Sequence, residues 1–346
     1  MKINPINDYI KDTLETYCKS KNPDSTFEVS AKHIIHIDED EFKELNKCKL
    51  EYNISVTQLR FSVIDVSGKK NLIIVGTQEL VVENESFMPI SINNVIFLSV
   101  VESTKLSIRE SVSDSYIEET VYPVDDVDNM GYDVDKIAEL YEPFMVYEVP
   151  SEEISTESRI KSHIAKILLS NPKFLYLSFL SNTVDSYLEY YNSENYDDNI
   201  FNSSLAYCWR YCFLDIYRCI EPIFRHLPLT KVKREIGYKG SIDCLFEIIN
   251  NCCGWRPQET SSMEILFSKD FLSEPLLKRF RSIKNIEDSP GENIGKSIYR
   301  LRNKIVHYQG KSSDIENLLT SGEWNTLVSC LIDALVELRK KFPLDS

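Results

Sequence analysis

Apolar and polar residues alternate along much of residues 26–122, a period of two that predicts strands. Four segments carry the pattern: 26–38 (TFEVSAKHIIHID), 50–66 (LEYNISVTQLRFSVIDV), 70–82 (KNLIIVGTQELVV) and 93–103 (NNVIFLSVVES). They are rich in Val, Ile, Phe and Thr, and turn residues such as SGKKN separate them. The apolar run VIFLSVV reads as a buried strand. A short helix is expected ahead of them at 6–19, and FMVYEV at 144–149 as one more strand of the sheet. Residues 111–158 turn acidic and loop-like, and are expected to connect two domains.

From about residue 157 the period becomes helical. Segments 158–170, 171–191, 202–227 and 241–252 place apolar residues at i, i+3, i+4 and i+7. Two more helices follow, the last with Leu327, Leu331, Leu335 and Leu338 on one stripe. A bundle of five to seven helices is expected. The predicted class is therefore α+β, with a β-rich domain over residues 1–150 and an all-α domain over 151–346.

The helix before the last has legible ends. Ser289 reads as its N-cap, Pro290 as its first residue and Glu292 as the capping-box acid. Gly310 reads as its left-handed stop, which predicts a helix over about 290–309. At about 100° per residue, Ile294, Ile298, Leu301, Ile305 and Tyr308 share a core stripe. Asn303 and His307 then fall nearly opposite that stripe, facing outward. Arg302 lies between the two faces, about 140° from His307 on an ideal helix.

Length and charge refine this picture. A chain of 346 residues exceeds what one core usually holds, which agrees with two domains. No basic and apolar leader opens the chain, and no apolar run approaches the ~18 residues of a membrane helix, so a soluble cytoplasmic protein is expected. Nine cysteines without any C-x-x-C pair read as small thiols in a reducing compartment rather than as a zinc set. The net charge of −15 is uneven: residues 1–160 hold 15 Lys and Arg against 31 Asp and Glu, whereas 161–346 hold 24 against 23. Within 271–311 nine basic residues face four acidic ones, a local patch of the kind that attracts phosphate.

Two motifs are decoys. GENIGKS at 291–297 has three residues between its glycines where a phosphate-binding loop needs four, and a polar segment precedes it. His33 and His36 lie three apart on an expected strand and would point to opposite faces. The aromatic residues from Phe174 to Phe224 read as core at helical spacing, with one or two rings left exposed to stack bases.

The stretch Arg302-Asn303-Lys304-Ile305-Val306-His307 resembles the R-x(4–6)-H signature of HEPN domains, with Asn at the usual polar place. The approach IGKSIYRLRNKIVHY, with an aromatic after the His, is also similar. The strict match covers some fifteen residues, and the loose one the helical part. The resemblance implies a HEPN-like bundle that forms a homodimer with two such motifs facing across the interface. Many members are metal-independent endoribonucleases of toxin–antitoxin, abortive-infection and other antiviral systems, while others only bind or scaffold.

The residue types suit that chemistry. RNA carries its own nucleophile, the 2′-OH, so neither metal nor cofactor is needed if protons move and phosphate charge is stabilised. His307 fits general acid/base work, and Arg302 fits bidentate phosphate binding. Asn303 would fix the imidazole or touch the ribose. Lys304, Tyr308 and Arg300 are the expected substrate contacts. The products would be a 2′,3′-cyclic phosphate and a 5′-hydroxyl. The acidic N-terminal domain would sense a trigger, bind an inhibitory or activating partner protein, or mask the basic patch. Three alternatives stand beside this: a solvated surface histidine, an Arg302 that only pairs with Asp215 or Glu221, and a non-catalytic RNA-binding or dimerisation protein.

Overall fold

The computed structural model describes residues 3–29, 34–121, 131–193, 196–284, 292–307 and 317–342. The class is α+β, with one antiparallel sheet in the N-terminal part and helices after it. Two compact units divide the chain, Met1–Ile160 and Lys161–Ser346.

The first unit opens with α1 (Ile3–Lys21) and α2 (Glu39–Leu45) and contains strands β1 (Lys49–Val56), β2 (Leu59–Val66), β3 (Lys69–Val75), β4 (Met88–Pro89) and β5 (Phe144–Val149). Their order is β1-β2-β3-β5-β4, and every neighbouring pair is antiparallel. The β2–β3 hairpin turns on Ser67 and Gly68, both at positive φ, and Asp65 Oδ1 accepts the Gly68 N–H at 2.7 Å. Two positive φ angles give a turn whose twist matches the strands. Ile64, Val66, Ile73, Val75, Phe144 and Val146 belong to one buried cluster with α3 (Asn94–Thr104).

That helix corrects the strand expected at 93–103. Asn93 caps it by accepting the Ile96 N–H at 2.9 Å, and Lys105 ends it at φ 50°. Eight of its residues are buried, so no polar face was left to show a helical period. The strand expected at 26–38 is also absent among its described residues, which make only the isolated bridge Ile35↔Gly131. The buried Asn7 of α1 satisfies that backbone instead. Its Oδ1 accepts the Ile34 and Ile35 N–H groups at 2.8 and 2.9 Å, and its Nδ2 donates to the Ile35 carbonyl at 3.2 Å. A side chain thus does what a neighbouring strand would do.

The acidic stretch is no free connector. It contributes α4 (Asp114–Val121), α5 (Val134–Glu139) and β5, whose Ile117, Val121, Ile137 and Val146 are buried in the first unit. Residues 122–130 lie outside the described ones.

Ten α-helices fill the rest among the described residues, against the five to seven expected: α6 (Glu157–Leu169), α7 (Ser181–Asn192), α8 (Asp198–Ser204), α9 (Trp209–Ile220), α10 (Ile223–Ile236), α11 (Ile242–Cys253), α12 (Glu259–Leu266), α13 (Glu274–Arg281), α14 (Ile294–Val306) and α15 (Ser321–Lys341). The excess comes from breaks that periodicity bridges. Residues 202–227 fall into α8, α9 and α10, with Glu221 and Pro222 between the last two. A proline cannot give the N–H that would continue the ladder.

Helix α15 runs through the second unit's core. Trp324, Leu327, Val328, Leu331, Leu335 and Leu338 are all fully buried. The rings of Trp324 and Trp209 lie parallel at 6.3 Å. Beside them the buried Asn325 ties α15 to the segment before α7. Its Oδ1 accepts from the Leu180 N–H at 2.7 Å and the Thr183 hydroxyl at 2.9 Å, and its Nδ2 donates to the Ser178 carbonyl at 3.2 Å.

Candidate functional site

Helix α14 carries the motif, and its ends differ from the expected ones. Asn293, rather than Ser289, caps it by accepting the Lys296 N–H at 3.3 Å, while Asn293 Nδ2 donates to the Glu264 carbonyl at 3.2 Å. Ser289, Pro290, Tyr308 and Gly310 lie outside the described residues. Ile294, Ile298, Leu301 and Ile305 are buried as the stripe requires.

Gly295 explains the rejected phosphate-loop pattern. A Cβ at this position would stand 2.0 Å from the Met263 carbonyl oxygen and 2.3 Å from its carbon. The residue is glycine so that α14 can cross α12 at backbone contact.

Much of the basic segment is already paired. Arg279 meets Asp333 at 2.5 Å, Arg281 meets Glu274 at 3.1 Å, and Glu292 takes both Arg300 at 2.5 Å and Lys296 at 3.9 Å. Asp333 comes from outside the 271–311 window, so charge counting along the sequence misses it. Arg300 is therefore held by Glu292, and Lys304 is exposed.

Arg302 is half-buried, with its side chain 22% exposed between three elements. Its guanidinium donates to Asn303 Oδ1 at 3.0 Å. It stands 3.8 Å from Glu221 at the end of α9 and 3.9 Å from Glu259 at the start of α12. It also lies 5.8 Å from the centre of the Tyr217 ring. Burial, then the neighbouring Glu259, pushes the Glu221 carboxyl above its ordinary range, against the pull of Arg302. Burial does the same to the Tyr217 phenol. One guanidinium thus serves two carboxylates. Glu259 Oε2 and the Tyr217 hydroxyl are buried without a hydrogen-bond partner.

His307 is the C-cap of α14 and is exposed, and its backbone N–H donates to the Asn303 carbonyl at 3.0 Å. The side chain of Asn303 is thus engaged with the Arg302 guanidinium. Of the two expected pairings of Arg302, Glu221 is present. Asp215 instead holds Arg218 at 2.7 Å. Sequence reasoning missed Glu259 and Tyr217. An acid in a helix's first turn looks like an ordinary dipole partner, and an aromatic at helical spacing looks like core.

Among the described residues, no three His, Cys, Asp or Glu side chains are grouped to hold a metal ion. Among the same residues, no helix is long and apolar enough to cross a membrane. Comparison with protein-family models, with curated proteins and with solved structures returns no match.

Proposed function

We propose that the chain is a cytoplasmic, metal-independent endoribonuclease of the HEPN type, acting in antiviral defence or as a toxin. The observation that carries the reading is a held guanidinium and an exposed imidazole within the last turn and a half of one helix. In this reading Arg302 binds the scissile phosphate, oriented by Asn303, and His307 moves protons to or from the 2′-OH and the leaving 5′-oxygen. Glu221 and Glu259 compete with phosphate for Arg302, so the arrangement is a restrained one.

A second copy completes the site. Helix α11 supports this, because only Leu245 of its twelve residues is buried, while Ile248, Cys252 and Cys253 stand exposed. An apolar face left open in this way marks an interaction surface. Glu247, midway along α11, and Arg256, just beyond its end, are both exposed. The segment also leads directly into Glu259, beside Arg302.

One observation favours a second reading. Two carboxylates on Arg302 neutralise it, as in a bundle that binds or scaffolds without cutting. Purified protein incubated with RNA in EDTA decides between them. The first reading predicts cleavage that falls at least about a hundred-fold in both Arg302→Ala and His307→Ala. Activity that vanishes with the chelator, or survives both substitutions, rejects it.

A further inference from the structure

We infer that Tyr207, Arg210 and Tyr211, at the start of α9, form a stacking platform for the bases of unpaired nucleotides. Tyr207 and Tyr211 are 62% and 39% exposed, yet their rings pack on each other at 5.2 Å. The Arg210 guanidinium carbon lies 4.7 Å from the Tyr211 ring centre, and Nη2 donates to the Tyr211 hydroxyl at 3.4 Å. Single exposed tyrosines are ordinary, but two rings locked by a guanidinium are ordered surface that gains nothing from the core. Tyr176 and Leu180 are also exposed, and Phe179 between them packs on Trp209 at 5.7 Å.

The chemistry selects nucleic acid. Flat π-faces stack any base, and an arginine beside them meets phosphate or stacks in turn. Tyr211 and Arg218 lie seven residues apart on α9 and share a face. The exposed Arg218 therefore continues positive charge along the helix, shared with Asp215 at 2.7 Å. Tyr217 and Glu221, at the far end of α9, are the groups around Arg302. From Tyr211 to Tyr217 is about 9 Å along the helix axis and about 120° around it, so a bound strand of a few nucleotides would wrap across α9 to reach that end. Bases fixed at one end of α9 would thus deliver a phosphate to the other. Duplex RNA hides its base faces and cannot use the platform.

The inference rests on the ribonuclease reading only for the identity of the strand, and its test does not require cleavage. The full-length protein is titrated in EDTA against a fluorescent, uncleavable 2′-O-methyl single strand and its duplex, read by anisotropy. The single strand is expected to bind more tightly, and Tyr207→Ala and Tyr211→Ala to weaken it by about five- to a hundred-fold each. Tyr207→Phe and Tyr211→Phe should keep affinity within about two-fold, because a phenylalanine ring still stacks. Equal binding of single strand and duplex, unchanged affinity in both alanine variants, or no binding by the wild type overturns the platform. Tight, ring-dependent binding without scission of an all-ribose strand leaves the platform standing and rejects the nuclease. Scission with an unchanged KM in the alanine variants does the reverse.

Discussion

At the scale of single residues, two glycines of the helical unit give opposite forecasts from the same substitution. Gly295→Ala adds a methyl group against the Met263 backbone, which cannot swing aside, whereas Gly322 has nothing within 4 Å. The helix-propensity gain of up to about 1 kcal/mol is available at both. Overpacking outweighs it only at Gly295, for a net loss of about 1–3 kcal/mol. Thermal unfolding should show Gly295→Ala melting lower than the wild type and Gly322→Ala no lower. Glu221 gives a pH forecast. Its folded carboxyl holds its proton more tightly than the unfolded one, so its charged form costs stability. That cost is absent at low pH and sets in as pH rises from the ordinary carboxylate range through the raised value. Glu221→Gln should therefore flatten the pH dependence of the melting temperature over that window, and should raise RNA affinity by leaving Arg302 one competitor fewer. A steeper dependence in the variant contradicts the assignment.

At the scale of elements, the network on Asn325 holds α15 to the segment before α7. Asn325→Leu fills the space but strands the Leu180 N–H and the Ser178 carbonyl, each of which loses its partner there. Two such groups cost about 2–4 kcal/mol together, which urea unfolding followed by circular dichroism should register. How far elements were legible depended on whether their two faces differ. The buried stripe of α14 and the leucines of α15 were readable because polar residues alternate with them. The hairpin strands β2 and β3 were readable for their Val and Ile content and the Ser67–Gly68 turn. The helix at Asn94–Thr104 was not, because burial on all sides erases the period that tells helix from strand. The segment 26–38 failed for another reason: Asn7, some 28 residues away, supplies its hydrogen bonds, and no local pattern records that. At the candidate site, Arg302 and His307 were visible in one short motif. Glu259, 43 residues earlier in the chain than Arg302, became its neighbour only through the crossing of α12 and α14.

At the scale of the whole molecule, the charge contrast between the acidic first 160 residues and the near-neutral remainder invites a regulatory reading, and the open face of α11 invites a second copy. Ile248→Lys places a charge in that apolar face and should turn a dimer into a monomer by light scattering. RNA scission should fall with it, while single-strand binding on the tyrosine platform persists. A variant that stays dimeric moves the interface elsewhere. Metal-free cleavage of RNA by Arg302 and His307 can be read from RNA end chemistry in cells that express wild type or His307→Ala. New 2′,3′-cyclic phosphate and 5′-hydroxyl ends that depend on His307 are the expected result. Equal end profiles in the two strains, or new ends bearing 5′-phosphate, contradict it.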